Sequence, residues 1–314
     1  AGRRRAQGER RPGRRAARSV TGPALAAAAG LGFGFFQTLN RRAVGGMNDA
    51  YLATFLQLLV ALVVLVVASL ATEDLAVLGD ATALSLAYFS VAGVIHFSLG
   101  WTLLNMSQMR IGAARTSPLL ATNPVFGAAI AALLLQELPT PVVVLGVGLV
   151  VVGALVVSLE RVSEVGWGVS WEDALPGLAT ALAWATSPVL IKEGLEGLPS
   201  PLLGLTLGMV VAVVAYAAAL PLRPRVDGPA LGSWSSLWFK LLAGLMVGLS
   251  VWARWAALDY SDIAVVLALG LLSVPIVLLL SPLLMGRHVE RVTLQIWGGA
   301  ALVVVGGLVL VVWS

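Results

Sequence analysis

Leu138–Leu159 reads LPTPVVVLGVGLVVVGALVVSL, with no Asp, Glu, Lys or Arg anywhere in it. A helix crosses the hydrocarbon core of a bilayer with about 20 predominantly apolar residues. From Val142 to Val157 this stretch is apolar on every face, whereas a membrane barrel strand alternates polar and apolar residues. It reads as a spanning helix. The same test, applied outward, finds further charge-free runs at Ser19–Asn40, Ala50–Thr72, Ala81–Met109, Thr116–Gln136, Ala174–Ile191, Gly197–Leu222, Ile263–Gly286 and Val292–Ser314. A tenth apolar stretch, Leu237–Leu258, carries Lys240 and Arg254. The expected fold is an all-α integral membrane bundle of ten transmembrane helices.

Composition agrees, with 59% hydrophobic and 11% charged residues among 314 positions, where soluble domains carry about a quarter charged. There is no cysteine, which excludes disulfides, thiol catalysis and Cys-ligated zinc. The net charge of +4 is concentrated at the start, since Arg recurs through AGRRRAQGERRPGRRAARS while the body is acidic on balance. Residues 1–20 read as a basic, disordered tail near anionic headgroups, and no folded nucleic-acid module accompanies it. The run after Arg18 leads straight into a full-length span, unlike a signal peptide.

One shift of register relates the two halves. It lays Pro124 on Pro275, Arg41 on Lys192, and Ala113 of RIGAARTSPLLATNP on Ala264 of SDIAVVLALGLLSVP. With two residues inserted, LVVVG at Leu149–Gly153 falls on the identical LVVVG at Leu302–Gly306. The expected units are a first repeat at 21–159, a connecting loop at 160–173 and a second repeat at 174–314. Five spans per unit is an odd number, so the second copy must be inverted in the membrane. Charge gives an independent check. Arg41, Arg42, Arg110, Arg115, Arg161, Arg223, Arg225, Lys240, Arg287 and Arg291 fall in or beside alternate loops, whereas the other loops have only Lys192, with Arg254 nearby, and hold Glu73, Asp74, Asp80, Glu137, Glu193, Glu196, Asp259 and Asp262. Basic loops favour the cytoplasm and the basic tail favours termini on that same side, so sidedness has two opposed readings.

Gly112-Ala113-Ala114-Arg115, Asn123-Pro124 and Gln136-Glu137-Leu138-Pro139-Thr140 follow one another as a small-residue helix start, a mid-helix proline and an acidic turn. Together with the Gly- and Val-rich helix at Gly146–Gly153, this resembles the EamA-type branch of the drug/metabolite transporter superfamily over roughly Ala24–Val312. The second copy departs at Gly286-Arg287-His288-Val289, with His288 where Glu137 would align. The acidic loop Thr72–Asp80 departs too, since it is often basic in such proteins. The resemblance implies transmembrane transport of a small organic solute, with no solute named.

Polar groups at membrane depth are costly unless partnered, and ionisable ones usually face a cavity. The candidates for a substrate cavity are Gln37, Gln57, Tyr88, His96, Trp101, Asn105, Arg115, Asn123, Trp184, Ser187, Arg254 and Trp255. His96 is the one well-placed titratable group deep in a span, and a neutral, hydrogen-bonded core histidine is the plainer alternative. Arg254, with Trp252, Trp255 and Tyr260, reads as a snorkelling cation in an aromatic belt or as an anchor for an anionic solute. Pro124, Pro188 and Pro275 are hinge candidates. Gly30 with Gly34, Gly204 with Gly208 and Gly244 with Gly248 have the spacing of close helix contacts.

No G-x-x-x-x-G-K loop, H-E-x-x-H pair or G-x-S-x-G elbow is present, which argues against ATP hydrolysis, a zincin site and acyl transfer. Neither a cofactor nor a metal is expected, and the chain is not expected to be an enzyme. The leading expectation is a multi-pass permease of the cell membrane working by alternating access without ATP hydrolysis. Its partners would be the lipid bilayer, a small-molecule solute, a counter-transported proton or solute, and a second copy in a homodimer, with no nucleic acid. The alternative is a membrane scaffold or receptor that transports nothing.

Overall fold

The computed structural model describes residues 12–136, 138–165, 170–223, 232–285 and 293–313. Among them there is no strand. The helices are α1 (Pro12–Val44), α2 (Ala50–Thr72), α3 (Ala83–Gly93), α4 (Trp101–Leu120), α5 (Asn123–Leu134), α6 (Pro141–Val165), α7 (Trp171–Gly197), α8 (Pro201–Ala219), α9 (Trp234–Leu258), α10 (Ile263–Gly270), α11 (Ser273–Met285) and α12 (Leu294–Trp313). Among the described residues, seven helical stretches are long and apolar enough to cross a membrane: Ala50–Thr72, Ala83–Ile111, Pro141–Leu159, Trp171–Gly197, Pro201–Leu222, Trp234–Leu258 and Leu294–Trp313. Asn123–Leu134 and Ile263–Val277 are shorter apolar segments. Val63, Val67 and Leu70 of α2 are each more than half exposed, an outward apolar stripe suited to lipid and not to water.

Polar residues mark where helices begin. The Asp49 carboxylate accepts the Tyr51 and Leu52 amides at 3.0 Å each, and the Ser200 hydroxyl accepts the Leu203 amide at 3.1 Å, which satisfies N–H groups that have no partner within the first turn. Both caps also tie helices together. Arg223, just after α8, donates Nε to Asp49 Oδ2 at 2.8 Å, and Ser200 donates to Glu73 Oε2, just after α2, at 2.7 Å. The two caps thus fasten α2 to α8 at opposite ends.

Two helical stretches are interrupted. α4 and α5 are interrupted at Ala121–Thr122, and α10 and α11 at Leu271–Leu272. Pro124 is not a mid-helix kink but a first-turn residue of α5, a position where proline loses no helical hydrogen bond. Pro275 sits likewise at the start of α11, while Pro188 lies inside α7. Within α4, Ser107 and Thr116 join their hydroxyls at 2.8 Å. A straight helix would separate residues nine apart by about 13.5 Å, so the chain folds back between them, where the third charge-free run ends and the fourth begins.

Glycine sets how closely the helices approach. α6 packs on α12, where a Cβ on Gly299 would lie 2.8 Å from the Gly153 carbonyl and one on Gly306 would lie 2.8 Å from the Gly146 carbonyl. α3 crosses α8 at Gly93 and Gly208, and α9 crosses α2 where Gly244 meets Val60 and the Gln57 backbone. α1 packs on α9, α10 and α11, and α7 packs on α3, α4 and α5.

Candidate central cavity

A cavity of about 50 Å³ lies among α1, α5, α7, α9, α10 and α11. Both helix breaks contribute to its wall through Leu120, Asn123, Gly270, Leu271 and Ser273. Of the residues singled out in the sequence, Gln37, Asn123, Trp184 and Arg254 line it together. Phe33, Ser250 and Ser273 line it as well, without any distinguishing mark in the sequence. Gln37 donates to Ser273 Oγ at 3.3 Å, and Asn123 donates to the Ala181 carbonyl at 3.0 Å. Arg254 is half-buried and lines this cavity.

His96 sits beside the cavity in a π-helical segment, Val94–Gly100, that joins α3 to α4. The extra residue per turn in such a segment rotates the side chains against the flanking helix. His96 Nδ1 shares a hydrogen bond of 2.7 Å with the Ser187 hydroxyl, and the Trp184 indole donates to the His96 carbonyl at 3.2 Å. The two rings stack with centroids 5.8 Å apart. Gly100 leaves room for that indole, since a Cβ there would lie 2.5 Å from Trp184 Nε1. His96, Trp184 and Ser187 therefore form one cluster.

An aromatic chain continues from it. Trp184 meets Phe33 edge-on at 5.6 Å, Phe33 meets Phe36 at 5.0 Å, and Phe36 stacks on Trp101 at 6.3 Å. Trp101 then meets Phe97 at 5.1 Å, Phe97 stacks on Trp255 at 5.9 Å, and Trp255 stacks on Phe89 at 5.9 Å. Trp101 and Trp255 are fully buried in this chain and do not line the cavity. Their indole N–H groups have no acceptor among the described residues.

A second polar cluster lies toward the Asp49 end of α2. Lys240, which the sequence placed beside a basic loop, is fully buried in α9. It donates to Asn40 Oδ1 and to Gln57 Oε1, the latter at 2.7 Å. Asn40 donates in turn to Asn105 at 3.3 Å, and Asn105 donates to Thr54 at 2.7 Å. Gln57 and Asn105 thus belong to this cluster and not to the cavity wall. Tyr88 is half-buried in α3 and does not line the cavity. The side chain of Arg115, the residue Glu137 and the turn at 286–292 lie outside the described residues.

Residues 20–159 match the model of the EamA-like transporter family. No curated protein matches the chain. Among solved structures 25 chains match; one, a crystal structure of a protein, has a TM-score of 0.66 at 20% identity, covering 89% of this chain and 94% of that one. At that identity the likeness concerns the fold alone. The apolar helices mark a multi-pass membrane protein, and residues 20–159 match the EamA-like transporter family, which belongs to the drug/metabolite transporter superfamily.

Proposed function

We propose that the chain is a secondary transporter of the cell membrane that moves a small organic solute by alternating access between two inverted five-helix repeats, residues 21–159 and 174–314, without ATP hydrolysis. The observation that carries this reading is a reciprocity of contacts. The shift that sets Gly153 on Gly306 also sets Gly146 on Gly299, and the pairs found together are Gly146 with Gly306 and Gly153 with Gly299. Each contact is the other with its two halves exchanged, as a twofold axis requires. The caps obey the same rule, because Asp49 and Ser200 begin equivalent helices and each bonds a residue just beyond the other's helix. The cavity lies between the halves, flanked by a broken helix from each, the usual place for a carrier's solute site.

Rocking of one half against the other would expose the cavity to one face and then the opposite face. A gradient of the solute, or of a counter-transported solute or proton, would drive net flux. Purified protein in liposomes should then exchange a labelled solute from a panel of amino acids, sugars, nucleosides, organic cations and organic anions, with no nucleotide present. Absence of flux for every class, with the protein folded and inserted, would leave a carrier reading without support.

A further inference from the structure

We infer that the central cavity is a binding site for a compact organic monocarboxylate, its carboxylate held by Arg254 and its flat apolar body laid against Trp184 and Phe33. The inference rests on the reading of this cavity as the solute site. Arg254 is the single charged residue among the described ones that line the cavity. No carboxylate or other acceptor among the described residues pairs with it. A guanidinium inside a membrane protein is costly to keep without a partner, and its five N–H donors form a planar fork matched to a carboxylate. The complement is missing from the protein and must come from the ligand.

Two further features agree on the sign of that ligand. α5 starts at Asn123 on the cavity wall and has no side-chain cap at its N-terminus, so the positive end of its dipole faces the same space. No acidic side chain lines the wall among the described residues, which leaves an ammonium group without a partner and disfavours cations and zwitterions. One cation suits one negative charge, and so a phosphate dianion is a poorer match than a carboxylate. Size narrows the class again. A water needs about 10–15 Å³ of such volume and a cavity that holds a benzene ring about 150 Å³, so a cavity of about 50 Å³ holds about four waters as it stands and must widen to admit even a compact aromatic body. The edge-to-face pair of Trp184 and Phe33 offers that body an aromatic wall.

The test uses full-length protein in nanodiscs, titrated calorimetrically with benzoate, benzamide, benzylammonium and phenyl phosphate. Benzoate should bind at least tenfold more tightly than each of the other three. Arg254→Gln should weaken benzoate by about tenfold to a hundredfold, the worth of a charge-assisted hydrogen bond, and leave benzamide within about twofold. Arg254→Lys should fall between, since it keeps the charge and loses the fork. No benzoate binding, equal binding of benzoate and benzamide, tighter binding of benzylammonium or phenyl phosphate, or indifference to Arg254→Gln each overturns the inference. The comparison of ligands on the unaltered protein stands even if the variant fails to fold. Liposome flux separates this claim from the one beneath it: benzoate that binds while no class of solute is carried overturns the carrier, whereas neutral solutes carried independently of Arg254 overturn the anion site.

Discussion

Replacing Arg223 by Gln tests whether the caps of α2 and α8 act as independent latches at the two faces. Asp49 is 1% exposed and Arg223 32% exposed across their 2.8 Å ion pair. The substitution removes the pair and leaves Asp49 its two amide bonds, so α2 keeps its cap. A hydrogen bond between charged groups is worth about 1.5–3 kcal/mol net. Partial exposure of Arg223 lowers that to about 1–2 kcal/mol, or about a 5- to 30-fold rise in local opening. Hydrogen exchange of the protein in nanodiscs reads it directly. The amides of Tyr51–Gln57 should exchange faster by that factor, because their protection reflects local opening. Those of Leu202–Leu205, beside the Ser200–Glu73 bond at the other end, should stay within about twofold. A change below about twofold in α2, or an equal rise in both segments, would refute the idea of separate latches.

Trp255→Phe trims a fully buried ring packed between Phe89 and Phe97; the cavity left outweighs release of its unpartnered N–H, so a thermal melt should show a loss of about 1–3 kcal/mol, and an unchanged melt would show that the ring is loosely packed. Gln57→Leu leaves Lys240 with a single amide acceptor and should cost about 1–3 kcal/mol. Adding Lys240→Met should restore part of that loss, and strictly additive losses on a thermal melt would contradict the bond. Gly153→Leu should force α6 away from α12, where a Cβ already lies 2.8 Å from Leu302 Cβ; overpacking of this kind costs about 1–3 kcal/mol, and an unchanged melting temperature would show the interface to be looser than described.

Much of the helical framework could be read from the chain. The charge-free run Ala50–Thr72 coincides with α2 at both ends, because Asp49 caps one end and Glu73 follows the other. Lys240 could not be placed that way. Its burial depends on Asn40 and Gln57, which are distant in sequence, and a charge count assigns such a lysine to the nearest loop. His96, Trp184 and Ser187 each stand out as polar at membrane depth, yet their meeting depends on the turn imposed by Val94–Gly100 and on the space at Gly100. Periodicity does not report a π-helical segment. Asn123-Pro124 carried a legible signal that a kink-based reading passes over, since a polar residue followed by proline is how many helices begin.

Inversion of the repeats is the central claim, and labelling from the two faces of the membrane measures it. The chain has no cysteine of its own, so a single introduced thiol has no background. Gly45, between α1 and α2, and Glu196, at the end of α7, are related by the shift that sets Pro124 on Pro275, and both are exposed. In sealed, uniformly oriented vesicles, an impermeant maleimide added outside should modify only one of the single variants Gly45→Cys and Glu196→Cys, and permeabilisation should make the other reactive. Modification of both from the same side would contradict the inverted architecture and the transport mechanism built on it.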